Sequence, residues 1–198
     1  MRDLFGEPDD ATPLDPDARN GLLQSWITYR KDLNAAEEDN IVKGAAWARR
    51  SRRRKPTDIL DPDFACQLHK RMFGDVWSWA GTYRTTGRNI GIDAFKIPPE
   101  TAGLFDDVRY WVAHRTFVHD ELAIRFHHRL VSIHPFPNGN GRHARLMADM
   151  LVSSLGAPIF SWGSGALTEA GELRRRYIAA LKSADSHDIG PLLEFARL

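Results

Sequence analysis

With 198 residues, 42% hydrophobic and 27% charged, the chain has the size and composition of one globular domain. A formal net charge of +1 excludes a global field of the kind that draws proteins to nucleic acids or membrane surfaces. Its one cysteine, Cys66, excludes an internal disulfide, and no apolar run reaches the roughly 18 residues of a membrane span. The acidic segment Met1 to Asp10 also lacks the apolar core of a secretion signal, so the expectation is a soluble cytoplasmic protein with no membrane partner.

Residues 1–18, rich in Asp and Pro, read as a flexible tail, and 19–198 as a single domain. Leu22, Leu23, Trp26, Ile27 and Leu33 fit one face of a first helix; Ile41, Ala45 and Trp47 fit a second. The run Arg49-Arg50-Ser51-Arg52-Arg53-Arg54-Lys55 reads as a solvated helix end, with a patch for nucleic acid or an acidic partner as the alternative. Nucleic acid is not the expected partner. Asp61 and Pro62 mark the cap and first residue of a helix carrying Phe64, Leu68 and Met72.

Between Tyr83 and Ile97 the pattern changes. Thr85 and Thr86 favour strand, Ile90 and Ile92 alternate around glycine, and Gly87 and Gly91 can turn the chain, which predicts a short β-hairpin. Pro98 and Pro99 then open a helix with Leu104, Val108 and Trp111. Asp120 suits the cap of the next, striped by Leu122, Phe126, Leu130 and Ile133, which delivers the chain to His134. A further helix is expected from about Arg142 to Leu155, stopped by Gly156 and Pro158, and two more over about 171–184 and 190–197. The fold class is mainly α, with a helix–loop–helix and one hairpin.

The loop His134-Pro135-Phe136-Pro137-Asn138-Gly139-Asn140-Gly141-Arg142-His143-Ala144-Arg145 carries the chemistry. His134 alone reads as a histidine closing a helix, and Asn-Gly alone as an ordinary turn. Together they place an imidazole able to accept a proton near neutral pH beside a glycine turn with bare N–H groups at a helix N-terminus. Arg142 and Arg145 are three apart, so both can reach phosphate oxygens from one side of that helix. A cation there opposes the helix dipole, and an anion between them would relieve the conflict. Phe136 reads as an anchor for the loop. A metal cluster from His127, His128, His134 and His143 lacks helical ligand spacing.

This loop resembles the signature of the Fic/Doc (Fido) family, His-Pro-Phe-x-(Asp/Glu)-Gly-Asn-Gly-Arg-x-x-Arg, at every defined position but Asn138. A second family-like stretch runs from Leu68 through Trp77, Trp79-Ala80-Gly81 and Tyr83 to Arg84, and the whole chain resembles the bacterial subgroup called mobile mystery protein B. The resemblance implies a Fic-type helical bundle and protein adenylyltransferase activity, moving AMP from ATP to a Ser, Thr or Tyr hydroxyl of a target protein. It implies His134 as catalytic base, and Gly139, Asn140, Gly141, Arg142 and Arg145 as the phosphate site, with Asn140 using its side chain. It implies Asn138 in the position of the acid that holds Mg²⁺ or Mn²⁺, where an amide is a weaker ligand.

The hairpin would be a flap, with Ile90, Gly91 and Ile92 docking the target by strand addition. Asn34 to Asn40 reads as a charged helix face; the family likeness offers Glu38 as an inhibitory glutamate that would engage the second motif arginine. A toxin-like role with an antitoxin-like regulator is also implied. The alternative is a nucleotide-binding pseudoenzyme or interaction module without transfer activity, which Asn138 favours.

Overall fold

The computed structural model describes residues 20–50, 54–88, 90–164 and 170–198. Among these, α1 (Arg30–Arg49), the short α2 (Pro56–Ile59) and α3 (Pro62–Phe73) precede a long irregular segment. After it come a 3₁₀ turn (Ala94–Lys96), α4 (Ile97–His114), α5 (His119–Ile133), α6 (Asn140–Ser154), α7 (Ala170–Asp185) and α8 (Gly190–Arg197). The tail expected over 1–18 lies outside the described residues.

α3 starts where the sequence places it. Asp61 is extended, and its carboxylate accepts from the N–H groups of Asp63 (2.7 Å) and Phe64 (3.4 Å), with Pro62 in the first turn where its missing N–H costs nothing. It buries Leu68, Met72 and Phe73, and the helix packs on α1. The two helices approach closely at Gly44, where a Cβ would lie 2.8 Å from the Arg71 carbonyl oxygen. Asn40 pins the contact: its Nδ2 donates to Arg71 O (3.1 Å) and its Oδ1 accepts from Asp75 N (2.8 Å).

α5 packs on α4 and on α6, while α7 pairs with α8, which also meets α5. One apolar cluster holds Leu68, Phe105, Phe126 and Met147; a second holds Val152, Phe160, Trp162 and Phe195. Buried Asp149 joins α6 to the latter, accepting from Phe160 N (3.2 Å) and Trp162 Nε1 (2.9 Å). Cys66 is half-buried, and burial raises its thiol pKa, as suits a packing residue. No described helix is long and apolar enough to cross a membrane.

Three expectations change. Residues 20–29 are not helical: Leu23 N donates to Val76 O (2.9 Å) and Ser78 N to Gly21 O (2.8 Å), so this stretch pairs with 76–78. Ile27 anchors it in the core, while Leu23 and Trp26 are exposed. The basic run is not uniformly solvated either: Arg54 lies over the rings of Trp47 and Phe64, although residues 51–53 fall outside the description.

No strand forms between Tyr83 and Ile97 among the described residues. The backbone there bonds to the end of α5 and the loop after it, with Arg84 N donating to Pro135 O (2.9 Å) and Ile92 N to Ile133 O (3.4 Å). The expected hairpin is thus an irregular strap. Helix starts shift slightly: Val118, not Asp120, caps α5, and α6 begins at Asn140.

Candidate active site

His134 is the last residue of α5's C-terminal turn and adopts a left-handed conformation (φ 54°), so the chain leaves the helix sharply there. Six residues later α6 starts, capped by Gly139 at φ 76°. Only glycine fits that cap. Besides the φ, a Cβ would lie 2.4 Å from Cζ of the Phe73 ring.

Between these helices the loop is held from three directions. Phe136 is fully buried and stacks on His69, ring centroids 3.8 Å apart. The His69 ring accepts from Gly81 N at Nδ1 (3.0 Å), so Nε2 carries the proton and donates to Asn138 O (3.0 Å). Burial, and then the neighbouring His143, hold His69 well below its usual pKa, which preserves this tautomer. Asn140 closes the loop from within, accepting from Phe136 N (2.8 Å) and donating to Phe136 O (2.7 Å). That corrects the expectation that the Asn140 side chain contacts phosphate: it is buried, and both its polar atoms are engaged by backbone. Asn140 shapes the cradle instead of lining it with an amide.

The loop borders a cavity of about 740 Å³, within the range of roughly 300–1,000 Å³ typical of small-ligand pockets. His134, Asn138, Gly139, Gly141, Arg142 and Arg145 all line it, and the strap residues Ile90, Gly91 and Ile92 form another wall. At its floor the N–H groups of α6's first turn have no intrahelical partners, and that turn has no acidic residue. His134 is half-buried. Burial first, then the Arg84 and Arg88 charges, lower its pKa, so the imidazole is neutral at pH 7 and able to take a proton. The Val131 backbone beside the ring acts in the opposite sense and offsets part of this shift.

The two arginines face different walls. Arg142 sits over the Phe73 ring (5.0 Å) and pairs with Glu37 (Nη2 to Oε2, 2.7 Å); Arg145 lies over the Tyr177 ring of α7 (5.7 Å). Glu37 is 3% exposed, and its other oxygen accepts from Trp77 Nε1 (2.7 Å). The structure therefore puts Glu37, and not Glu38, against a motif arginine, and the first one rather than the second. This also corrects the reading of 34–40 as a plain charged face. Glu37 was legible only as one of several acids on α1; its inward direction depends on how α1 lies on α3.

A protein-held divalent metal does not fit the donors present. Asn138 offers a neutral amide whose Oδ1 already accepts from Gly139 N (2.7 Å), and no group of three or more His, Cys, Asp or Glu among the described residues could hold a metal ion. The other histidines have separate partners: His127 with Tyr177, His128 with Asp185, and His143 with the Ala65 carbonyl.

A half-buried imidazole, a helix N-terminus with no side-chain cap and two guanidinium groups thus surround one cavity. Residues 59–152, just under half of the chain, match the model of the Fic/DOC family. Over 133 residues it is 30% identical to the protein adenylyltransferase Fic of Drosophila virilis, covering 65% of this chain and 26% of that protein. A solved fragment of Fic-1 from C. elegans has a TM-score of 0.60 at 27% identity, covering 81% of this chain and 47% of that one. BepC, a VirB-translocated effector of Bartonella tribocorum solved with bound AMPPNP, shares the fold: TM-score 0.66, 18% identity, 90% of this chain and 95% of that one. The chain spans about a quarter of the length of the curated relatives it matches.

Proposed function

We propose that this domain is a Fic-type protein adenylyltransferase, moving AMP from ATP to a Ser, Thr or Tyr hydroxyl of a target protein. The observation that carries it is the neutral imidazole of His134 on the same cavity as the open N-terminus of α6. The target hydroxyl oxygen attacks the α-phosphorus, its proton passes to His134, and the bond between the α-phosphorus and the bridging oxygen breaks to release pyrophosphate. Negative charge growing on the phosphates meets the N–H groups of Asn140, Gly141 and Arg142, with Arg145 and the accessible side of Arg142 supplying full charge.

The metal that accompanies the nucleotide in such chemistry would come with the ATP, since the residue at 138 is a poor ligand, and no step here depends on it. The exposed Ile90, with Gly91 and Ile92, would receive an extended segment of the target. Placement with the mobile mystery protein B subgroup, an antitoxin-like regulator and a cytoplasmic working place belong to the same proposal and rest on the sequence resemblance.

The test is transfer of label from α-³²P-ATP to protein in a cell lysate. His134→Ala should abolish labelling while leaving ATP affinity within about twofold, because the base touches the hydroxyl and not the phosphates. ATP binding without transfer in the parent protein would support the pseudoenzyme; undiminished labelling by His134→Ala would remove the histidine from the reaction.

A further inference from the structure

We infer that Arg84 is a positioning residue that fixes the backbone of His134, and through it the imidazole, against the strap that covers the cavity. The reading rests on the transfer activity proposed above for its kinetic consequence, though not for its geometry.

Arg84 is 3% exposed, and among the described residues no carboxylate pairs with it. Its guanidinium is directed at backbone oxygens. Nε donates to His134 O (2.7 Å), Nη1 to Thr86 O (2.9 Å), and Nη2 to Ile92 O (2.5 Å) and Ile133 O (3.4 Å). Two of these oxygens belong to the strap and two to the end of α5. Its own backbone N–H donates to Pro135 O as well (2.9 Å). A buried charge with no counter-charge is costly, and only a planar fork with five donors satisfies such a set at once.

What the fork holds is a strained point. His134 is a non-glycine residue at φ 54°, a conformation that persists only where its surroundings over-determine it. Gly91 completes the grip from the strap: a Cβ there would lie 2.5 Å from His134 Cβ and 2.8 Å from Arg84 Nη2, and its φ is 90°. The strap and the histidine therefore move as one body, with Arg84 as the joint. Burial and the nearby Arg84 charge also keep the imidazole in its base form. The other ionisable groups around this cavity are Arg30 of α1, Arg88 of the strap, His128 of α5 paired with Asp185 of α7, Arg142 paired with Glu37, Arg145, and Arg174, Tyr177 and Lys182 of α7.

Arg84→Lys and Arg84→Gln test the inference. Lysine keeps the charge but cannot span four carbonyls; glutamine loses the charge and can donate to only some of them. Both should lower the label-transfer rate at saturating ATP at least tenfold, with ATP affinity by calorimetry within twofold of the parent. NMR titration should show the His134 pKa rising in Arg84→Gln, and less in Arg84→Lys. A folded Arg84→Lys protein with parental turnover, or a loss of ATP affinity as large as the loss of rate, would overturn the assignment. If the parent transfers no label, the imidazole titration still decides it: an unchanged His134 pKa in Arg84→Gln would count against Arg84.

Discussion

At the scale of single residues, the cradle is set by which charges face one another. Glu37 compensates Arg142 inside the cavity, so part of the arginine's attraction for an anion is already satisfied. Glu37→Gln keeps an acceptor for Trp77 Nε1 and removes the negative charge. ATP should then bind tighter, on the order of tenfold, the scale of one charge-assisted hydrogen bond. Calorimetry checks this; weaker or unchanged binding would show that Glu37 orients Arg142 and does not restrain it. Asn138 gives a second residue-level expectation. Aspartate is nearly isosteric and can still accept from Gly139 N, so Asn138→Asp should fold unchanged and add one hard carboxylate to the cavity. Mg²⁺ should then strengthen nucleotide binding by about tenfold more than in the parent. An identical Mg²⁺ response in both proteins would mean that position 138 does not face the metal.

At the scale of elements, α3 is the support of the whole site. It carries His69, which holds Asn138 O, and Phe73, which lies under Gly139 and Arg142. α1 meets the site directly through Glu37, and its lie there is set by its packing on α3, which is tight at Gly44. Gly44→Ala would drive a methyl into the backbone of Arg71 and Met72, neither of which is a flexible side-chain end. Forced overpacking of this kind costs about 1–3 kcal/mol, and it should also lift Glu37 away from Arg142. Chemical denaturation should show the loss of stability. A variant as stable as the parent would mean that the two helices can separate without strain. The strap is the complementary case. Thr85, Thr86, Ile90 and Ile92 have strand-like character, yet the backbone partners nearest in space are Ile133, His134 and Pro135, and these take the hydrogen bonds.

At the scale of the whole molecule, buried titratable groups set the response to acid. Burial holds His69, His127 and His143 below 6.5, His127 at about 3 and His143 at about 4. For each, the unfolded chain binds a proton that the folded state refuses, so stability is full above 6.5 and is lost as pH falls toward the folded value. Asp149 acts in the opposite sense. Burial raises it to about 6 from 3.8, so within that window the folded state keeps a proton the unfolded chain would release. Three histidines outweigh one carboxyl. The melting temperature should therefore fall steadily from pH 6.5 to pH 4, at roughly 1.4 kcal/mol per pH unit for each uncompensated proton. A melting temperature that stays flat over that range would show that these histidines are protonated in the folded state.

The sequence by itself determined the local features, because these depend on neighbours along the chain. The Asp61–Pro62 start of α3, the stripe of α5 ending at His134, the stop at Gly156 and the glycine turn before α6 all follow from capping, periodicity and backbone freedom within a few residues. What only the tertiary structure decided is which side chains meet across the fold. Asn140 reads as a ligand group until Phe136 is seen to engage both its polar atoms. Glu37 and Glu38 are indistinguishable on paper, and the lie of α1 on α3 sends one inward to Arg142. Arg84 reads as one more cation, and its partners lie up to 50 residues away in the chain. Periodicity reports which face of an element is buried; it carries no record of what that face will touch.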